Sequence, residues 1–121
     1  MSLRQTQSKF AALVPRLIDK AIELGFEVTL GDAYRDPRVF GQIGERMGYG
    51  HASSAHKQRM AIDLNLFKEG MFMADTEAHR PLGEWWEKQH PLARWGGRFK
   101  LANGKSAADG NHYSFLHGGI K

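Results

Sequence analysis

The sequence has no cysteine among its 121 residues, only four prolines and no long apolar run. The absence of cysteine excludes disulfides, thiolate metal sites and cysteine nucleophiles, so any transition-metal site must use histidine and carboxylate ligands. No segment approaches the ~18 apolar residues that a membrane helix requires. Charges and a proline interrupt the apolar residues of the N-terminal segment, so it lacks the h-region of a secretory signal. We expect synthesis in the cytoplasm and no stable membrane insertion.

The residues that are present are typical of one small globular domain, spanning 1–121, with an apolar content of 41%. Seventeen lysines and arginines outnumber thirteen acids, so the net charge is +4. A basic surface favours an anionic partner such as nucleic acid, anionic lipid or anionic cell-wall polymer, and charge does not select among these. The small, polar segment 101–110 is the candidate for an insertion, with its flexible part at 101–108.

Hydrophobic periodicity predicts both helices and strands. Apolar residues recur at three- and four-residue spacing from Phe10 to Ala21, which predicts a helix with a kink or a start near Pro15. Asp36 and Pro37 are typical of a helix N-cap and a first helical position. The other predicted elements are strands at 26–30, 60–67, 94–99 and 111–116, a turn at 68–70, a loop at 49–56 and a helix opening at Pro81.

The helix that begins at Pro37 and the strand at 60–67 should each bury one side. Four apolar residues of the helix are expected to point inward: Val39, Phe40, Ile43 and Met47. The even-numbered residues of the strand share one apolar face, which leaves Asp63 on the other. Because helices and strands do not alternate regularly, the predicted fold class is α+β, an antiparallel sheet packed with helices, and not a doubly wound sheet.

Two acidic positions indicate possible chemistry. Asp63 lies in the middle of a strand, where an acid is rare, and it either faces solvent or, when buried, must be paired or metal-bound. Seven residues earlier, His56 ends a serine-rich segment. Asp109 precedes His112 by three residues. This spacing suits a metal-binding histidine beside a general base, and it equally suits a plain turn ahead of a strand.

The order of these residues resembles that of the zinc peptidoglycan peptidases, the family of D-alanyl-D-alanine carboxypeptidases and L-alanyl-D-glutamate endopeptidases. The shared pattern begins with Ser54-x-His56 and continues with Asp63, seven residues after that histidine. It ends with an acid three residues before another histidine, here Asp109 and His112. The resemblance covers most of the chain.

A Tyr34-Arg35 pair ahead of a predicted helix that contains Gln42 also matches this family. Two positions depart from the pattern. Arg59 stands where many members have glycine, which would narrow or recharge the rim of the site, and Asp109 stands where many have glutamate, which shortens the base by one methylene. The chain is most similar to the small bacteriophage lysis endopeptidases (endolysins) of the family.

The resemblance implies a Hedgehog/DD-peptidase-like fold and a bound Zn²⁺ ion. The implied zinc ligands are His56, Asp63 and His112. Asp109 would be the general base, and Arg35 would hold a substrate carboxylate or the developing oxyanion. Arg35 could equally form a structural ion pair with Asp32 or Asp36. Ser54 would bind substrate or support its loop.

The implied activity is zinc-dependent hydrolysis of a peptide bond in peptidoglycan stem peptides, by a monomeric phage-type endolysin in host cell lysis. Such an endopeptidase would cut an L-Ala–D-Glu or a D-Ala–diaminopimelate bond. It would be made in the host cytoplasm and act on the wall after release. The alternatives are a D-alanyl-D-alanine carboxypeptidase and a non-catalytic cell-wall-binding module of the same fold. A nucleic-acid binder is disfavoured, because no lysine- or arginine-rich run and no nucleic-acid motif is present.

The remaining histidines and the tryptophans are predicted to have mostly structural roles. His51 either contacts substrate or is solvated, and His79 and His90 are expected at the surface or in helix caps. His117 is not expected to be a ligand. The three tryptophans are expected to pack in the core, with Trp95 forming a wall of the cleft.

Overall fold

A five-stranded antiparallel sheet and two longer helices make up most of residues 2–48 and 52–121, which a computed structural model describes. The elements in chain order are α1 (Leu3–Glu23), β1 (Glu27–Leu30), α2 (Pro37–Phe40), a 3₁₀ helix (Ala55–Gln58), β2 (Ala61–Lys68), β3 (Met71–Phe72), α3 (Thr76–Glu87), β4 (Ala93–Trp95), a second 3₁₀ helix (Gly96–Arg98) and β5 (His112–Phe115). The strand order is β1-β2-β5-β4, and β3 pairs with the end of β2. The predicted α+β class is therefore confirmed. Across these two ranges, no helix combines the length and the apolarity needed to cross a membrane.

The core lies between α1, α3 and one face of the sheet. Strand β2 contributes its even-numbered apolar residues, all nearly inaccessible: Ile62, Leu64 and Leu66. The helices contribute Phe10, Leu17, Ala21, Leu82 and Trp86. The ring of Phe10 meets those of Trp86 and Phe115 edge-on, at centroid distances of 5.9 and 5.4 Å. Because side chains alternate along a strand, this packing turns Asp63 to the opposite face of the sheet.

Helix α1 begins at Leu3, well before Pro15, and runs through the proline, which corrects its predicted start. Ser2 and Gln5 form a capping box, in which the Ser2 hydroxyl accepts a hydrogen bond from the Gln5 N–H at 3.2 Å. Pro15 is exposed, so water can reach the Ala11 carbonyl that lacks a helical partner. The Ser-x-x-Gln spacing was the sequence signal for the true start.

Helix α2 is shorter than predicted. Asp36 is its N-cap and Pro37 its first residue, as expected, but the helix ends at Phe40. Gly41 follows with a φ of 82°, a conformation that glycine adopts readily and that ends the helix. Three of the residues expected to point inward are instead 58%, 45% and 50% exposed: Val39, Ile43 and Met47. The prediction of an inward apolar side is therefore wrong.

Two further elements differ from their predicted bounds. Pro81 lies inside α3, which begins at Thr76. Pro81 is exposed, and the Glu77 carbonyl that it leaves without a helical donor can be solvated. The strand predicted at 94–99 ends at Trp95, because Gly96–Arg98 turn into a 3₁₀ helix.

The segment predicted as a loop at 49–56 becomes helical before it ends. Its residues 49–51 lie outside the described residues. Ala55–Gln58 form a 3₁₀ helix whose first turn is capped by Ser54, since the Ser54 hydroxyl accepts a hydrogen bond from the His56 N–H at 3.2 Å. His56 is thus held by a helical turn, not by an irregular loop.

The predicted turn is present, and the segment predicted as an insertion is held by backbone pairing. The turn at 68–70 joins β2 to β3, a short strand that the sequence pattern did not indicate. In the segment 101–110, Leu101 donates a backbone hydrogen bond to Lys105 at 2.8 Å, and Lys100 pairs with Ser106 across the turn. The flexibility of 101–108 stays a prediction.

Candidate metal centre

Three side chains meet on the face of the sheet opposite the core. Asp63 of β2 lies directly across from His112 of β5 in the strand register, so both side chains leave the sheet on the same side. The 3₁₀ helix before β2 brings His56 to the same place. One nitrogen or oxygen atom from each of the three residues lies within 4.8 Å of the other two.

The distances within this group suit a metal ion. Asp63 Oδ1 lies 3.1 Å from His56 Nε2 and 3.4 Å from His112 Nδ1. Atoms that bind one zinc ion tetrahedrally at ~2.0–2.1 Å are ~3.3 Å apart. Both histidines are buried, and Asp63 is half-buried. Two imidazole nitrogens and one carboxylate are a donor set that can hold a transition metal and leave a position open.

Hydrogen bonds orient the His56 ring and keep the Asp63 carboxylate ionised. The Ala33 carbonyl oxygen lies 3.5 Å from His56 Nδ1, which leaves Nε2 directed at Asp63. The Asp63 N–H donates to the Asp32 carbonyl at 2.8 Å, so the backbone beside the ligand is itself paired. Partial burial acts to raise the pKa of Asp63, but hydrogen bonding to His112 and His56 outweighs it and lowers this pKa to about 2. The carboxylate is therefore ionised at neutral pH.

Asp109 lies beside the ligand group at a longer distance. Its Oδ2 is 3.9 Å from His112 Nδ1, and 54% of its side chain is exposed. The Asp109 N–H donates to the Gly96 carbonyl at 2.9 Å, and the Asp109 carbonyl accepts from the His112 N–H at 3.1 Å. Partial burial raises the pKa of Asp109, and the Asp63 charge adds to this rise against the opposing effect of His112. A carboxyl group with a raised pKa is suited to proton transfer near neutral pH.

Arg35 and Ser54 are joined to each other and to the backbone at His56. Arg35 Nη1 donates to Ser54 Oγ at 2.7 Å, and the Arg35 N–H donates to the His56 carbonyl at 3.3 Å. Arg35 Nε lies 3.6 Å from Asp32 Oδ2, so one of the two predicted ion pairs is formed. Asp36 pairs with a neighbouring arginine instead. Ser54 therefore supports the His56 turn, as one of its two predicted roles required.

A cleft of about 480 Å³ opens beside the ligand group. Four residues singled out in the sequence line it: Arg35, Ser54, Asp109 and His112. Much of the remaining wall comes from the segments 99–102 and 119–121, to which no motif pointed. Their side chains are distant from the motifs in sequence, and only the closure of β4 and β5 onto β2 brings them to the cleft.

Three further histidines of the described residues lie outside this group. His79 is buried, with Nδ1 2.8 Å from the Tyr113 hydroxyl, which corrects its predicted surface position. His90 is partly buried and its Nδ1 accepts a backbone N–H two residues later, a cap-like contact. The backbone of His117 pairs with residue 120. His51 lies outside the described residues.

The tryptophans pack against the core as predicted, but Trp95 is not among the described residues that line the cleft, which corrects its predicted place in the cleft wall. Trp86 and Trp95 are buried, and Trp85 packs against the core from a partly buried position. The Trp95 indole N–H donates to the Gly110 carbonyl at 2.7 Å. Trp95 therefore anchors the turn that carries Asp109.

Arg59 has a φ of 57°, in the left-handed region that favours glycine. Glycine would adopt this backbone conformation at a lower cost than arginine. The Arg59 guanidinium lies 4.1 Å from the centroid of the Tyr34 ring, a cation–π contact.

No protein-family model matches this chain, and no curated protein matches it. Function must therefore be inferred from the chemistry of the ligand group and its cleft, together with the order of the motif residues.

Proposed function

We propose that this chain is a zinc-dependent peptidase that hydrolyses a peptide bond in peptidoglycan stem peptides, with a Hedgehog/DD-peptidase-like fold. The observation that carries the proposal is the convergence of His56, Asp63 and His112 within 4.8 Å beside a cleft. Asp109 adds a carboxyl group at 3.9 Å from His112 Nδ1. Ligands, base and cleft in one place are what a hydrolytic metal site requires.

Zinc suits the three donors better than the hard cations do. Mg²⁺ and Ca²⁺ prefer oxygen-rich shells, whereas His56 and His112 offer nitrogen atoms and Asp63 the single carboxylate. When bound there, zinc supplies Lewis-acid activation of water and of the scissile carbonyl. The protein side chains do the remaining work.

Asp109 acts as general base and then as general acid. Its carboxylate accepts a proton from the attacking water as the water oxygen bonds to the carbonyl carbon. When the carbon–nitrogen bond breaks, the same carboxyl group returns the proton to the leaving amine. Asp109 lies 3.9 Å from His112 Nδ1, close enough to the ligand group for one carboxyl group to serve in both transfers.

Arg35 holds negative charge on the substrate. Its guanidinium lies at the cleft wall, kept in place by Ser54 at 2.7 Å and by Asp32 at 3.6 Å. A preorganised guanidinium can bind a substrate carboxylate or stabilise the oxyanion that develops during attack. The net charge of +4 also favours binding to an anionic wall.

The biological role that agrees with this activity is that of a phage-type endolysin. The enzyme would be made in the host cytoplasm and would reach the wall after release, where it would cut an L-Ala–D-Glu or a D-Ala–diaminopimelate bond. The digestion experiment below decides between these two bonds.

Mass spectrometry of digested peptidoglycan tests the proposal. Purified walls would be incubated with the protein as prepared, with a chelator, and with the chelator followed by zinc. We expect one new amine at an internal peptide bond, lost with chelator and restored by zinc. Release of terminal D-Ala alone would assign a carboxypeptidase, and zinc binding without any cleavage would assign a wall-binding module.

Metal analysis of three variants tests the ligand assignment. His56→Ala and His112→Ala should each lose bound zinc, because two remaining ligands hold the ion poorly. His117→Ala is the matched control, since this histidine lies outside the ligand group. Full zinc occupancy in either of the first two variants would contradict the assignment.

A further inference from the structure

One end of the cleft carries positive charge that the proposed hydrolysis does not use. Phe99, Lys100 and Lys121 line this part, here named the cationic end. Lys121 Nζ lies 5.0 Å from the centroid of the Phe99 ring, and that ring lies edge-on to His112 at a centroid distance of 5.3 Å. The Phe99 ring therefore contacts both the Lys121 ammonium and the ring of His112, a proposed metal ligand.

Backbone pairing holds both lysines at the cleft. His117 and Ile120 exchange two backbone hydrogen bonds, at 2.9 and 3.0 Å, across a Gly118-Gly119 turn. Both glycines have positive φ, of 57° and 77°, which such a tight turn requires. The turn directs Lys121 back to the cleft. On the other wall, the Phe99 carbonyl accepts a hydrogen bond from residue 107 at 2.9 Å, which holds Lys100.

The charges along the cleft are unbalanced. Among the described residues that line it, Arg35, Lys100 and Lys121 are cationic and Asp109 is the acid. Arg35 already contacts Asp32. Within the described part of the chain, no carboxylate forms an ion pair with Lys100 or Lys121, so their charges remain available to a ligand.

We propose that the cationic end is a subsite for a carboxylate of the substrate, and that the enzyme selects stem peptides whose carboxylates are free over those whose carboxylates are amidated. At ~3.5 Å per extended residue, the subsite is within about three residues of the metal ligands. Phe99 offers an apolar surface for the carbons between the scissile bond and that carboxylate. This inference rests on the proposed function, since it assumes that the cleft binds a stem peptide.

Calorimetric binding tests the subsite without any turnover. Asp109→Asn protein, loaded with zinc, would be titrated with two synthetic stem pentapeptides, one with all carboxylates free and one with all of them amidated. We expect the free peptide to bind about 3- to 10-fold more tightly, an advantage that shrinks at high salt because both lysines are exposed. In a Lys100→Gln/Lys121→Gln background this advantage should shrink by about threefold or more, and any remainder belongs to the carboxylate that Arg35 binds.

A Lys9→Gln/Lys88→Gln background is the matched control, because it removes the same charge from exposed positions away from the cleft. It should keep the preference. Equal affinities for the two peptides, a preference that loss of Lys100 and Lys121 leaves undiminished, or tighter binding of a single-stranded oligonucleotide would each overturn the subsite. Cleavage of both peptides by the unaltered protein at equal rates would also overturn the subsite. If the unaltered zinc-loaded protein cleaves neither the peptides nor the walls, the proposed function is overturned instead.

Discussion

Asp63 and Asp109 are two carboxylates whose surroundings prepare them for different tasks. Two histidines hydrogen-bond Asp63 and lower its pKa to about 2, against the effect of burial. Asp109 has only a distant contact with His112, at 3.9 Å, and partial burial raises its pKa. An always-ionised group is a good ligand, and a group that exchanges its proton is a good base. The proposed division of roles follows from this difference.

Substitution of Asp109 should separate metal binding from turnover. In Asp109→Asn, we expect zinc content to stay near one ion per chain, because the three ligands are intact. The rate of wall hydrolysis should fall by about 10²- to 10⁴-fold, the usual contribution of a general base. Elemental analysis measures the zinc content, and an assay of wall hydrolysis measures the rate. Zinc-dependent activity retained in Asp109→Asn would contradict the assignment of Asp109 as the general base.

His79 makes stability depend on pH. Burial lowers its pKa below the ordinary 6.5, although a hydrogen bond to the Met73 backbone opposes the shift. The unfolded chain therefore takes up a proton at this residue before the folded protein does. Its contribution to stability is complete above pH 6.5 and is lost as the pH falls from 6.5 towards the lowered pKa.

Urea unfolding of His79→Gln and the unaltered protein, between pH 7.5 and 5, measures this effect. The free energy of unfolding should fall less steeply with decreasing pH in the variant, because the proton uptake is gone. His117→Gln serves as the control and should retain the original slope. Identical pH slopes for His79→Gln and the unaltered protein would show that another group is responsible.

At the scale of elements, a single lysine connects the segment after α2 to the 3₁₀ helix of the metal site. Lys57 is buried, and its Nζ lies 2.6–3.1 Å from four backbone carbonyl oxygens. These carbonyls belong to Phe40, Gln42, Glu45 and Ala52. Since Lys57 follows a ligand histidine directly in the chain, the same contacts hold the segment and support the ligand.

Loss of the Lys57 ammonium should loosen that segment. Lys57→Met keeps the length of the side chain and removes its hydrogen bonds, so we expect a loss of about 2 kcal/mol in the free energy of unfolding. Amide hydrogen exchange across residues 41–48 should also accelerate. Lys9→Met, at an exposed position of α1, is the control and should change neither quantity. Unchanged exchange in Lys57→Met would contradict the proposed support.

Substitution of two adjacent glycines after β4 tests how closely the backbone there approaches its neighbours. A Cβ at Gly96 would collide with the Asp109 carbonyl oxygen and lie 2.8 Å from His112 Cβ. A Cβ at Gly97 would collide with the Trp95 ring. Gly96→Ala and Gly97→Ala should each destabilise the fold by about 1–3 kcal/mol. Zinc affinity should fall only in Gly96→Ala, and equal zinc affinities would refute this distinction.

On the scale of the whole molecule, a metal ion would connect parts of the chain that are far apart in sequence. His56 comes from a 3₁₀ helix, Asp63 from β2 and His112 from β5. An ion bound by all three would link the two central strands of the sheet, β2 and β5, to the helical turn. Because these ligands come together only in the folded chain, binding stabilises the folded state.

Zinc should therefore raise the melting temperature. At a free zinc concentration 100 times the dissociation constant, the expected gain is about 2.7 kcal/mol, which corresponds to roughly 10 °C for a chain of this size. Differential scanning calorimetry with zinc and with chelator measures it. His112→Ala should show no such difference. An unaltered melting temperature in the native sequence would argue against a zinc site.

Local patterns in the sequence predicted β1, β2, β5 and the caps of α2, because alternation and capping depend on near neighbours. They misplaced the starts of α1 and α3, since an exposed proline is tolerated inside a helix when water satisfies the carbonyl four residues before it. They also placed Val39 inward, although the packing of distant elements leaves it 58% exposed. Burial is decided by such distant packing, which a local pattern does not contain.

The candidate ligands and the base could be named from the sequence through its resemblance to a known family, because each residue taken alone also fitted a structural role. Whether those residues meet was decided by the strand register that pairs Asp63 with His112 and by the turn that places His56. The cationic end of the cleft was also decided by tertiary structure, because the segments around Phe99 and Lys121 come together only when the chain folds. Sequence specifies which chemistry is available, and folding determines which groups share one cleft.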